Sequence, residues 1–304
     1  MYVGVTDFDW YSMLKEENCD EVNFWTPGGG NFKVLKENEL FLFKLHAPRN
    51  FIVGGGFFVR FSSLPSYLAW DAFERKNGVT SLSELDKRIR KYRSKNRMSE
   101  ENPQIGCIIL TEPFFFDEID WIPIPSDWSP NIVRGKTYST DSLMGEHLYL
   151  EVVSRLSIPE SVSDQVTEDN DNRYTVTETK HRLGQGAFRV VVADAYNRRC
   201  AITGEKTLPV LEAAHIKPYG LGGDHKTSNG ILLKSDYHIL FDKGYITIDT
   251  DYRVNVSKRL FSDYGNGKDY YNHDGKKMLI LPNEAKDWPS KELLMWHNEQ
   301  VYLG

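Results

Sequence analysis

Cysteine is scarce in this chain. Three residues, Cys19, Cys107 and Cys200, stand far apart and form no CxxC pair. They build neither a disulfide framework nor a zinc ribbon, and a reducing cytoplasm is the simplest compartment. Long apolar runs are also missing: none approaches the roughly 20 residues that a membrane span needs. The opening residues MYVGVTDFDWYSML lack the basic start and apolar centre of a secretory signal. No internal repeat is visible. Neither glycine run, 28–30 or 54–56, has the lysine or the strand–glycine–helix setting of a phosphate loop. An excess of positive charge is absent too: 37 Lys and Arg face 43 Asp and Glu. That balance argues against a uniformly basic nucleic-acid binder.

What is present is enough chain for one large domain or two ordinary ones, 304 residues with 40% hydrophobic and 26% charged content. The charge is unevenly spread. Residues 1–179 carry 19 basic against 28 acidic side chains, whereas 180–260 carry 13 against 8. The basic stretch permits phosphate binding without demanding it. In the first half, ELFLFKL (39–45), NFIVGGGFFVRF (50–61) and IGCIILTEPFFF (105–116) read as strands. SLPSYLAWDAFERKNG (63–78) and TSLSELDKRIRKYRSK (80–95) read as helices, the second with Ser81 and Glu84 as a capping box. A further helix is expected over 142–155. Residues 157–180 are polar, acidic and nearly free of large apolar groups, and are expected to be a linker. The division is therefore 1–156, 157–180 and 181–304, with an α+β fold class.

Beyond the acidic segment, Phe188, Val191, Val192 and Ala195 mark one apolar helix face in 184–200. LPVLEAAHI (208–216) reads as a strand and 219–230 as a loop. ILLKSDYHILFDKG (231–244) opens apolar, offers Ser235 as an N-cap and stops at Gly244. The predicted order is helix, strand, loop, helix, then a hairpin in YITIDTDYRVNVS and a last helix in DWPSKELLMWHNEQVYL. His238 and Asp242 are four apart and share a helix face, where imidazole and carboxylate can hold one divalent cation. His215 ends the preceding strand, and Asn229 lies in the connecting loop. Taken singly, a histidine like His238 is more often a packed or surface residue, and Asp242 could simply end a helix, although an acid there opposes the helix dipole. His225 reads as an exposed loop residue.

EAAHIKP, Asn229-Gly and SDYHILFD together resemble the HNH endonuclease motif, a ββα unit around one metal. CAITGE (200–205) and the final WHNEQVY add to the likeness, which covers roughly 182–304. The resemblance implies that His215 is the general base, with Asn229 and His238 the other two motif residues. It makes His238 a metal ligand, with Asp242 one turn later as another. Many members carry a ligand directly before the base histidine. Here Ala214 stands there, and Glu212, on the same strand face, is the substitute. One divalent metal is implied, Mg2+ first, with Mn2+, Ni2+ or Zn2+ as alternatives. Lys217, Lys234, Arg189, Arg198 and Arg199 are the candidates for holding DNA phosphates.

In the first half, NFWTPGGGNFKVL, ELFLFKLHAPRNFIVGGGFFVRFSSLP and WIPIPSDWSP resemble, more weakly, the PUA-like group that includes EVE, YTH and ASCH domains. That implies a small β-barrel with flanking helices and an aromatic pocket for a flipped base. Trp25, Phe24, Asn23, Ser63 and Trp70 are the candidate pocket residues. Trp25 is placed in a loop before Pro27, and Lys44, Arg49 and Arg60 are the expected basic face. Most tryptophans in so small a barrel are core. The whole then reads as a restriction endonuclease for modified double-stranded DNA, methylated cytosine first, used in phage defence and cutting both strands as a homodimer or in two visits, with no membrane partner. Two rivals stand beside it: a nuclease whose first half senses a protein or small ligand, and a non-catalytic nucleic-acid binder.

Overall fold

The computed structural model describes residues 1–93, 102–156 and 184–304. They fall into two compact units, 1–156 and 184–304, with the short piece 71–73 grouped with the second. The expected linker at 157–180 lies outside the described residues, as do positions 94 and 95 of the helix expected over 80–95. Among the described residues no helix is long and apolar enough to cross a membrane.

The first unit runs β1 (Tyr2–Thr6), α1 (Phe8–Glu17), β2 (Glu21–Thr26), β3 (Leu40–Leu45), β4 (Phe51–Pro65), α2 (Ser66–Phe73), α3 (Leu82–Tyr92), β5 (Gln104–Phe115), β6 (Ile122–Pro123), β7 (Gly135–Thr137) and α4 (Leu143–Leu156). The sheet order is β2-β5-β4-β3-β1-β7, with β6 on the edge of β4. Strand alternation explains why β3 is apolar throughout. Phe41, Phe43 and Leu45 join a core with Trp10 and Leu14 of α1, while Leu42 joins another with Leu148 and Val152 of α4. The α3 cap forms in part as expected: Ser81 Oγ accepts from the Glu84 amide at 3.2 Å. Glu84 does not reach back to Ser81; its carboxylate accepts from the Thr80 amide and hydroxyl instead.

Among the described residues the expected β-barrel does not close. Closure requires the terminal strands to be joined by pairing. Among the described residues β2 pairs only with β5, and the three-residue β7 only with β1. Register shifts at Phe43/Lys44, Gly55/Phe57 and Phe58/Arg60 bend the sheet, but bending is not closure. The architecture is an open mixed sheet with helices, α+β as the sequence implied.

The second unit runs α5 (Gln185–Ala195), β8 (Leu211–His215), β9 (Gly230–Lys234), α6 (Ser235–Asp242), β10 (Ile246–Ile248), β11 (Val254–Val256), α7 (Arg259–Tyr264), α8 (Lys268–Tyr271) and α9 (Lys291–Gln300). One expectation changes here. The apolar opening of 231–244 is a strand, paired antiparallel with β8 from Leu211↔Lys234 to His215↔Gly230. A three-residue apolar run is too short to separate strand from helix. Ser235 is consequently the first helical residue rather than the cap, and its hydroxyl donates to the Val210 carbonyl at 3.1 Å. Phe188, Val192 and Ala195 of α5 pack on this hairpin together with Ala214, Ile231 and Leu233. Gly230 lets the helix approach: a Cβ there would lie 2.4 Å from Val192 Cγ2.

Behind α6, His297 of α9 bridges three elements. Its Nε2 donates to the Phe241 carbonyl at 3.1 Å, so Nδ1 is bare and accepts from the Thr247 hydroxyl at 2.8 Å. Its ring also stacks on Phe241, with centroids 3.8 Å apart.

Candidate active site

The β8–β9–α6 unit forms one wall of a cleft of about 550 Å³, lined among others by Arg189, Glu212, His215, Tyr219, His238 and Asp242. His215 sits at the last residue of β8, where the strand pair ends and the chain turns away. Its ring stacks on Phe188 of α5, centroids 3.9 Å apart and planes 12° apart. The imidazole Nε2 lies 3.0 Å from Nδ1 of His225. Burial lowers the His215 pKa to about 4, and the nearby His225 and His238 add to that while Asp224 opposes it. At neutral pH the imidazole is therefore uncharged and has a lone pair to offer.

His238 and Asp242 share the cleft face of α6 as their spacing requires, with His238 Nε2 facing Asp242 Oδ2 at 3.3 Å. Glu212 reaches the same histidine from β8: its Oε2 lies 2.6 Å from His238 Nδ1. Burial pushes the Asp242 carboxyl up, His238 opposes that shift, and Glu212 adds to it. Two carboxylates thus converge on one imidazole.

That geometry brings the three expected ligands together on one ring. The two nitrogens of an imidazole point in divergent directions, so one cation cannot bind His238, Glu212 and Asp242 while Glu212 holds Nδ1. Among the described residues no three His, Cys, Asp or Glu side chains form a metal-holding group. What fits is narrower: His238 Nε2 and Asp242 as an imidazole–carboxylate pair, with Glu212 fixing the ring from behind. This donor pair suits a borderline or hard divalent cation and leaves its other positions open.

Asn229 is fully buried and its amide is used by the loop backbone. Its Oδ1 accepts from the Lys217 amide at 2.9 Å, and its Nδ2 donates to the carbonyls of Lys217 at 3.0 Å and Asp224 at 2.7 Å. It closes the 217–224 loop and so positions other groups. The loop is tight: a Cβ on Gly223 would sit 1.9 Å from the Lys217 carbonyl. The expectation of an exposed His225 fails. Its ring is half-buried, stacked on Tyr219 with centroids 4.8 Å apart and tilted toward Phe188 at 5.5 Å. The only sequence signal was its place between the two motif residues of that loop.

Of the five basic candidates, Arg189 alone lines the cleft. Lys217 flanks it in sequence, its ammonium 5.5 Å above the Trp296 ring. Lys234 pairs with Asp236 at 3.3 Å and Arg198 with Asp194 at 3.0 Å. Arg199 packs with its Nε buried, near Gly204. Spacing alone could not show which cations are committed to local carboxylates.

The first unit holds a larger cavity, about 1320 Å³, whose lining includes Phe24, Trp25, Ser63, Arg88, Tyr92 and Arg134. Trp25 is on β2, not in a loop, and its Nε1 donates to the Asn77 carbonyl at 3.0 Å. Phe24 lines the cavity from the core, packed edge-on against Trp10 at 5.4 Å. Asn23 and Trp70 are not among the lining residues. Asn23 is buried and donates to Asn77 Oδ1 at 2.8 Å. The expected basic face also changes: Lys44 is buried, donating to Asn50 Oδ1 at 2.7 Å. The basic groups on this cavity are Arg88, Arg93, Arg134 and His46 instead.

Residues 200–249 match the family model described as HNH endonuclease. Among solved structures, a point mutant of ZmASCH from Zymomonas mobilis is similar over 50% of this chain and 96% of its own, at 9% identity and a TM-score of 0.33. The modification-dependent TagI restriction endonuclease is similar over 93% of this chain and 75% of its own, at 14% identity and a TM-score of 0.29. No curated protein matches the chain. The matched span contains β8, the Asn229 loop, β9 and α6, so this wall of the cleft lies in an HNH endonuclease domain at residues 200–249.

Proposed function

We propose that the chain is a modification-dependent DNA endonuclease, in which the second unit hydrolyses a backbone phosphodiester and the first recognises a modified base. The observation that carries the nuclease reading is the meeting in one cleft of neutral His215 with the His238–Asp242 pair.

In this reading His215 takes a proton from a water molecule. The water oxygen forms its new bond to phosphorus while the bond from phosphorus to the 3′ oxygen breaks. The 3′ oxygen gains a proton from solvent, leaving 5′-phosphate and 3′-hydroxyl ends. His238 and Asp242 would hold a divalent cation, Mg2+ first, which supplies charge stabilisation at the scissile phosphate. Glu212 keeps the His238 ring in one orientation and leaves Nε2 free. Arg189 lines the cleft and supplies positive charge for a DNA strand, with Lys217 beside it. One site cuts one strand, so duplex cleavage calls for two copies of the chain or two visits by one.

The modified-base reading rests on the cavity of the first unit. Trp25, Phe24 and Tyr92 offer stacking surfaces, Ser63 offers a polar contact, and three arginines offer charge for flanking phosphates. The same cavity has room for a small ligand, so a small-molecule sensor is the second reading.

The test is cleavage of matched duplexes bearing methylcytosine, hydroxymethylcytosine or unmodified cytosine, with His215→Ala as control. A modified duplex cut faster than its unmodified match supports the full reading. Equal cutting keeps the nuclease and rejects the base reader. No nicking of any DNA with Mg2+, Mn2+ or Ni2+ rejects both and favours the non-catalytic binder.

A further inference from the structure

We infer that His225 is a positioning residue for His215: it accepts the Nε2 proton of the base and thereby leaves the Nδ1 lone pair free to take the proton of water. The inference rests on the nuclease reading of the cleft.

Two imidazoles 3.0 Å apart through Nε2 and Nδ1 share one hydrogen bond, and only one of the two nitrogens can bring the proton. If His215 donates, its Nδ1 is bare and basic. If His225 donates, the His215 Nε2 lone pair is engaged and its Nδ1 carries the hydrogen, so neither nitrogen can accept from water. Only the first arrangement is competent. Nδ1 of His215 makes no hydrogen bond with another described residue, whereas Nε2 has its partner in His225. The direction of this bond therefore decides whether the base works.

The fold holds His225 in place. Tyr219 covers one face of its ring with planes 11° apart, and Phe188, already stacked on His215, lies 5.5 Å away. The residue before it, Asp224, is anchored through its carbonyl to Asn229 at 2.7 Å. Buried Asn229 thereby fixes the chain carrying His225 as well as the turn after His215. When His215 takes the water proton, the resulting imidazolium still donates through Nε2 to His225, so the contact persists through the step.

Two variants and one spectroscopic measurement test this. His225→Phe keeps a ring for Tyr219 to stack on but removes the acceptor. His225→Asn restores an oxygen acceptor. With DNA in excess, His225→Phe is expected to lower kcat roughly 10–100-fold, part of the roughly 10²–10⁴-fold that a positioned base supplies. KM should stay within about twofold, and His225→Asn should recover most of the loss. Independently of cleavage, nitrogen-15 NMR of the imidazoles should show His215 protonated on Nε2 in the wild type and a mixture of tautomers in His225→Phe. Wild-type kcat in His225→Phe overturns the inference. So does an equal loss in both variants, which marks a packing role, or a loss in His225→Phe as deep as in His215→Ala, which makes His225 the base. An inactive wild type defeats the nuclease reading; the tautomer measurement then still decides which way the His215–His225 bond runs.

Discussion

Nδ1 of His238 stands 2.6 Å from Oε2 of Glu212, while Nε2 on the other side of the ring faces Asp242 Oδ2 at 3.3 Å. A strand residue and a helix residue 26 positions apart thus fix which nitrogen of the ring is left for a cation. Outer partners of this kind are worth roughly 10–100-fold in metal affinity. Glu212→Gln retains an oxygen that can accept from Nδ1–H. It should therefore weaken Mn2+ binding by about tenfold, measured by calorimetric titration, whereas Glu212→Ala should approach the hundredfold end. Were Glu212 a direct ligand, the two variants would bind equally poorly.

Asn229→Ala should destabilise the second unit. It removes three hydrogen bonds at a fully buried position and leaves the Lys217 amide and the carbonyls of Lys217 and Asp224 without that partner. Buried groups left unsatisfied cost about 1–3 kcal/mol each, and solvent entry into the loop recovers part of it, so a loss of about 3 kcal/mol is expected. Urea denaturation followed by tryptophan fluorescence measures it. An unchanged midpoint would mean the loop does not depend on the amide.

Stability should fall in mild acid. Burial lowers the His297 pKa to about 4, partly opposed by its bond to the Phe241 carbonyl, and the unfolded chain titrates near 6.5. Between those values the unfolded state binds the extra proton, so stability rises with pH. The contribution is complete above about pH 6.5 and is lost as pH falls toward 4, amounting to about 2 kcal/mol by pH 5. His215, also lowered to about 4, acts in the same direction. Denaturation at pH 7 and pH 5 reads the slope, and His297→Asn should flatten it in part.

Trp25→Ala should weaken binding of a modified oligonucleotide by about 1–3 kcal/mol, the range for loss of a base–aromatic stack. Fluorescence anisotropy with matched oligonucleotides checks it. His238 and Asp242 lie in the other unit, so Mn2+ affinity should be unchanged. Equal affinity of variant and wild type for the modified strand would remove Trp25 from the reader.

The motif was legible in the sequence because its chemistry is local. The four-residue spacing of His238 and Asp242 places them on one face of any helix, and strand alternation alone sets Glu212 beside Ala214 and opposite His215. The β3, β4 and β5 runs were legible for the same reason, since strands covered on both faces are apolar at every position. The short elements were not. β6 and β7 have two and three residues, too few for a period, and Ile231–Leu233 could be helix or strand until β8 lay beside it.

The sequence by itself determined that one imidazole would end a strand and that another would share a helix face with a carboxylate, because backbone geometry repeats every two and 3.6 residues. Only the tertiary structure decided what each group meets. It set Glu212 on Nδ1 of His238. It gave His215 a second histidine for a neighbour, committed Asn229 to the backbone, and left the sheet of the first unit open. Those outcomes depend on contacts between segments far apart in the chain, whose direction no local spacing encodes.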